Sequence, residues 1–272
     1  MKNIIVPVDF SKHSEYALET AAILAKKHDA TLHVLHMLEL SESLISHSSS
    51  ENTNEMMFLL ALSKKKFEPF LDKEYLKGIK VEAVIKHHKV YKEVDELAQS
   101  INADLIVMGS NGLMAYQGIF AGSNAEKMVR NSSTPVLTIK SAPNKFSLQK
   151  VIMATDLSVS SVSAYKRASN IFSELGSTLQ PVFINRPHAN FVSSEEFNEM
   201  KKEFTKAGGT DQVAFISAYN IEDGLLQFAE ETEASCIAIS THARKGLSHF
   251  FKGSVSEDLA NHSQLPVMSF KI

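Results

Sequence analysis

The sequence predicts an α/β protein built as two doubly wound parallel-sheet domains in tandem. Three observations carry that reading. First, the chain repeats itself. Residues 108–139 read MGSNGLMAYQGIFAGSNAEKMVRNSSTPVLTI and residues 239–270 read ISTHARKGLSHFFKGSVSEDLANHSQLPVMSF. Each is an apolar strand, a loop, a Gly-Ser pair, a helix, a proline and a final apolar strand. Second, the strands are continuous apolar runs such as LIVM and CIAI. Runs without alternation mean burial on both faces, as in a parallel sheet covered by helices. Third, strands alternate with helices, the order that winds a sheet on both sides. The domains are expected at 1–142 and 148–272, joined by a polar linker, SAPNKF, around 141–146.

In the first half a strand is expected at 3–8 (NIIVPV), running into Asp9-Phe10-Ser11. Ser11 stands where a helix N-cap belongs, ahead of a helix at 12–28. A strand at 31–37 follows. The second half opens with KVIMAT and Asp156-Leu157-Ser158, an offset of 147 that shrinks to 131 at the Gly-Ser pair. The first half therefore carries sixteen extra residues, placed mostly in the Ser- and Glu-rich stretch 41–53 and read as a mobile loop. A long helix is expected at about 54–76, a strand at 80–86, a helix at 91–101 and a strand at 104–108. After the loop come a helix at 123–131 and a strand at 134–139. In the second half, strands are expected near 150–155, 178–184, 212–217, 235–239 and 265–271. The terminal strands of both halves are short and apolar, and they read as association edges that pair with another strand.

Length and charge narrow the function. Two domains fit within 272 residues, each long enough for its own core. A net charge of −3 argues against a general nucleic-acid or membrane-surface binder. No apolar run approaches the ~20 residues that span a bilayer, and the start, MKNIIVPVDFS, is too short in apolar residues for a signal-peptide core. The single cysteine, Cys236, has no internal partner for a disulfide, so a cytoplasmic location is expected.

The loop suggests phosphate chemistry. In the first half the frame is Gly109-x-x-Gly112, nine residues, then Gly122-Ser123. Glycine permits close backbone approach to a phosphate and a positive φ. Ligands of parallel α/β sheets bind beyond the carboxyl ends of the strands, where Asp9, Met37 and Gly109 all fall. Gly122-Ser123 opens a helix whose free N–H groups and positive dipole end favour an anion. No Lys or Arg occurs from 103 to 126, so a phosphate there relies on backbone N–H groups, the Ser110, Ser123 and Asn124 side chains, and Mg²⁺. In the second half Ser240 and Ala243 replace the first two glycines. Gly253-Ser254 remains, and Arg244, Lys245 and Lys252 are added. A side chain at a positive-φ site costs roughly 1–2 kcal/mol, so the first half is read as the occupied site. There is no Walker A sequence and no dinucleotide fingerprint.

These residues resemble the universal stress protein family over essentially the whole chain, as a tandem of two such domains. The likeness rests on VPVDFS, VLHM at 34–37 and the glycine frame in the first half. In the second it rests on DLS, THARKGLSHFFKGS and PVMSF, where the first two glycines depart from the pattern. The resemblance implies an α/β fold and, in an ATP-binding subclass, ATP at the matching positions. Pro7 and Val8 would then line the adenine pocket, and Asp9 and Met37 would lie at the adenosine. Gly109, Gly112, Gly122, Ser123 and Asn124 would take ribose and phosphates. Asp156, Gly253 and Ser254 would form a weak second site. The resemblance also implies a homodimer.

Each of these residues has a plainer reading. Asp9 has the alternative of a helix-start charge, with adenosine contact the preferred reading, and Asp156 is read as structural. The pairs His87-His88 and His33/His36 point to opposite strand faces, and no metal site is expected from them. Cys236 is read as inert core, and Lys64-Lys65-Lys66 as a solvated helix face. No nucleophile elbow supports a hydrolase, so no catalytic residue is named. The leading reading is an ATP-binding stress-response sensor or regulatory module. The alternatives are a slow ATPase or autophosphorylating enzyme, and a nucleotide-free scaffold.

Overall fold

The computed structural model describes residues 1–38, 50–87, 90–109, 124–187, 191–241 and 263–272. They form a mostly parallel α/β protein that divides into two compact units. One is Met1–Ser110 with Ile139–Pro143, and the other is Asn111–Thr138 with Asn144–Ile272.

In the first unit, β1 (Asn3–Val8), β2 (Thr31–Leu38), β3 (Val81–His87) and β4 (Leu105–Gly109) run parallel in the order β3-β2-β1-β4. Helix α1 (Lys12–His28) packs on β1, β2 and β4, α2 (Ser50–Leu71) on β2 and β3, and α3 (Val90–Ser100) on β1 and β3. The expected Ser11 cap is present, its side chain accepting from Ser14 N at 3.2 Å. Lys26, Lys27 and His28 close the last turn of α1, where positive charge suits the dipole. The second helix departs from the expected 54–76. It begins at Ser50, inside the stretch read as loop, while 39–49 lie outside the described residues. It stops at Leu71, two residues after Pro69, and a 3₁₀ turn at Glu74–Leu76 completes the connection. The run ends because Lys73 adopts an extended backbone (φ −124°, ψ 137°), which separates the helix from the 3₁₀ turn.

In the second unit, β5 (Val136–Ile139), β6 (Lys150–Ala154), β7 (Thr178–Asn185), β8 (Ala214–Ser217), β9 (Cys236–Thr241) and β10 (Val267–Lys271) lie in the order β5-β10-β9-β6-β7-β8. All neighbours are parallel except β5 and β10, which pair antiparallel through Thr138–Val267, Leu137–Met268 and Val136–Ser269. The two terminal strands of the repeat thus meet within one chain. Thr138 Oγ1 donates to Val267 O at 3.1 Å, and Arg167 donates to both Ser133 O and Lys271 O.

Helix α4 (Asn124–Asn131) precedes β5, and α5 (Val162–Glu174), α6 (Ser194–Lys206) and α7 (Ile221–Glu231) cover this sheet. Successive residues of β7 show why its strands are apolar throughout. Val182 and Ile184 pack with Leu225 and Phe228 of α7, whereas Phe183 packs with Phe197 and Phe204 of α6. Both faces of the strand are core.

Candidate functional site

The carboxyl edge of the first unit's sheet gathers Val8, Asp9, Met37 and Gly109. Val8 is level with His36, so Met37 projects one residue further. Ile5 is level with Ile106 on the other side, and continuing that register sets Gly109 beside Val8. Pro7 and Met37 are half-buried, Val8 is buried and Asp9 is exposed. Gly112, Gly122, Ser123, Gly253 and Ser254 lie outside the described residues. Asn124 is the exposed first residue of α4.

The turn after β1 is made by Asp9-Phe10-Ser11. Phe10 adopts φ 62°, and Leu157 in the second half adopts φ 58°. A non-glycine residue in this region costs about 1–3 kcal/mol and persists only where its surroundings fix it. Phe10 is fixed by aromatic rings. Its centroid lies 4.4 Å from His36 and 5.2 Å from both Phe67 and Phe70, with Lys66 Nζ 5.8 Å away. The His36 ring is itself held, with Nδ1 2.9 Å from Val8 O. Leu157 is held by burial against Val162 and Phe183. The aromatic clamp was missed in the sequence. The spacing of Ser63, Phe67 and Phe70 on one helix face was the available signal.

Asp9 Oδ1 accepts from Ser11 N at 2.9 Å. Partial desolvation pushes this carboxyl upward, but hydrogen bonds from Ser11 and Ser14 outweigh it and hold the pKa below the usual carboxylate value. Asp156 repeats the bond to Ser158 N at 3.0 Å and adds one from Ser158 Oγ at 2.7 Å, but it is only 5% exposed. The two acids therefore share a turn and differ in access.

Gly109 has a reason in the fold itself. A Cβ there would lie 2.5 Å from the carbonyl carbon and oxygen of His13 and 2.9 Å from Ser14 N. The first turn of α1 sits directly on β4, and only glycine leaves room for it. In the second half Ser240 takes this place, and the corresponding helix is entered through a 3₁₀ turn at Val159–Ser161.

Other titratable groups have structural surroundings. His33 is buried, with Nδ1 3.3 Å from Glu82 and Nε2 3.2 Å from Asn3 Oδ1. Burial lowers its pKa, Glu82 opposes that shift and Lys80 adds to it. Cys236 is fully buried and its thiol is pushed up to about 12, far from a nucleophile's range. Among the described residues no group of three or more His, Cys, Asp or Glu is placed to hold a metal ion. No helix among them is long and apolar enough to cross a membrane.

The sequence model of the universal stress protein family matches residues 1–140 and again 147–271. The chain belongs to the universal stress protein family. As a tandem member it matches single-domain relatives over about half its length. A universal stress protein of Methanocaldococcus jannaschii is 30% identical over 141 residues, 51% of this chain and 82% of that protein. Universal stress protein G of Escherichia coli O157:H7 is 28% identical over 142 residues, 51% of this chain and 99% of that protein. A crystal structure of a universal stress protein from Archaeoglobus fulgidus shares the fold across both halves. It covers 99% of this chain and 96% of its own, with a TM-score of 0.67 at 22% identity.

Proposed function

We propose that this universal stress protein is an ATP-binding sensor or regulatory module of the stress response. In this reading it works in the cytoplasm as a homodimer, with one nucleotide, as its Mg²⁺ complex, in the first half. The observation that carries the reading is the contrast between Asp9 and Asp156. Asp9 is exposed at the carboxyl edge of a parallel sheet beside Met37 and Gly109, where such sheets take ligands. Asp156, in the same turn, is buried and bonded within its own loop.

The chemistry assigns the ends of the ligand. Asp9 is anionic at neutral pH and would repel a triphosphate. Its place is therefore at the adenosine, accepting hydrogen bonds from ribose hydroxyls, with Pro7, Val8 and Met37 against the base. The phosphates fall to the glycine frame, where Gly112, Gly122, Ser123 and Asn124 supply N–H and side-chain donors. The Mg²⁺ would offset the absence of Lys and Arg between 103 and 126. Asp156, Gly253 and Ser254 would give at most a weaker site.

The test is the small molecule that copurifies with the full chain, released by heat and identified by mass. An adenine nucleotide is expected. Protein that stays empty in millimolar ATP would replace this reading with that of a scaffold.

A further inference from the structure

We propose that the outer edge of β3 pairs antiparallel with β3 of a second copy of this chain, in the register that sets Glu82 against the partner subunit's Lys86. Strand β3 ends the sheet of the first unit, and among the described residues its one strand neighbour is β2. The edge of β10 is different, because β9 and β5 flank it on both sides.

The backbone bond from Leu32 N to Lys80 O, 2.9 Å, fixes which groups of β3 face inward. In a parallel ladder a residue points its N–H and C=O to the same side, and the side alternates along the strand. Lys80, Glu82, Val84 and Lys86 thus bond toward β2, and Val81, Ala83 and Ile85 point theirs to the outer edge. Such an edge is a template for another strand.

A two-fold axis through Val84 joins Ala83 to the partner subunit's Ile85. Both point outward, so the pair exchanges both backbone bonds. Val84 then meets itself. Glu82 meets the partner subunit's Lys86 as a non-hydrogen-bonded pair, where side chains lie closest. The symmetry makes this ion pair twice. The neighbouring register through Ala83 instead sets Lys80 against the partner subunit's Lys86, like against like. The register through Ile85 sets Val84 against a lysine. Charge therefore selects one register of the three.

Glu82 and Lys86 are 44% and 46% exposed. Glu82 already holds Lys80 at 2.7 Å and His33 at 3.3 Å, and Lys86 lies 3.8 Å from Glu93, so the partner subunit's Lys86 would extend an ion cluster that each strand already carries. On the other face of the strand, Ala83 and Ile85 join Phe67 and Leu71 in an apolar groove rimmed by Lys64 and Glu68. The two-fold brings two such grooves together.

Sedimentation of the full chain tests this. A dimer is expected at tens of micromolar. Glu82→Lys and Lys86→Glu should each raise its dissociation constant roughly tenfold or more, because each places like charges opposite one another twice. The double variant should recover wild-type association. An equimolar mixture of the two single variants should form a heterodimer tighter than either homodimer. A monomeric wild type at that concentration, or a dimer indifferent to both reversals, would overturn the proposal. The mixing experiment reads the register even if a single variant loses some stability.

Discussion

Asp9 and Asp156 close the same turn in the two halves, yet Asp9 faces solvent and Asp156 is 5% exposed. Each accepts from the backbone N–H two residues on, at 2.9 and 3.0 Å. The repeat preserves the turn, and the two halves differ in the access of its acid.

That difference separates two mutants. Asp156→Ala should destabilise the fold by about 1–3 kcal/mol, because it removes a buried acceptor from the Ser158 N–H and hydroxyl. Asp9→Asn should change stability little and weaken ATP binding. Urea denaturation and a nucleotide titration on both variants read this. A binding loss in Asp156→Ala with Asp9→Asn unaffected would reverse the assignment.

Gly109→Ala should be costly for packing alone. The new methyl would sit 2.5 Å from the His13 carbonyl, and backbone on both sides resists the shift. Overpacking of this kind costs about 1–3 kcal/mol. The check is the urea midpoint without nucleotide. An unchanged midpoint would show that α1 moves freely away from β4.

Stability should fall on mild acidification through His33. Burial holds its folded pKa below the ordinary 6.5, with Glu82 opposing and Lys80 assisting. The unfolded chain then binds the proton more readily. The contribution of neutral His33 is complete above the unfolded value and is lost as pH drops below it toward the folded one. Unfolding free energies measured from pH 8 down to 5 should decline, and His33→Gln should decline less. Equal slopes would contradict the shift.

ATP should be held rather than turned over quickly. Fast phosphoryl transfer needs positioned positive charge at the γ-phosphate, and residues 103–126 contain no Lys or Arg. Backbone N–H groups and Mg²⁺ bind a triphosphate without strongly favouring its transition state. ATP at 100 times its Kd should stabilise the fold by about 2.7 kcal/mol, while phosphate release stays far below the ~10 s⁻¹ of an ordinary enzyme. Turnover near 1 s⁻¹ that disappears in Gly122→Val would make this protein an enzyme.

Much of this architecture is legible in the sequence because the repeat supplies its own alignment. The constant offset from Asp9-Phe10-Ser11 to Asp156-Leu157-Ser158 located both turns and the Ser11 helix cap, whereas Ser158 caps a 3₁₀ turn ahead of α5. Continuous apolar strands gave the two-sided burial seen around Val182, Phe183 and Ile184. What stayed hidden depends on contacts distant in the chain. The periodicity that ran a helix to residue 76 does not show the extended backbone at Lys73. The glycine at 109 read as a ligand feature, because nothing local to it reveals the His13 carbonyl. Nor does composition show that Phe10 needs His36, Phe67 and Phe70 to hold its left-handed backbone.

Calorimetric titration of the full chain with Mg-ATP tests the central claim most directly. One site per chain is expected, abolished in Gly122→Val with the fold intact and retained in Gly253→Val. Two equal sites, or a single site lost in Gly253→Val instead, would contradict the assignment of the nucleotide to the first half.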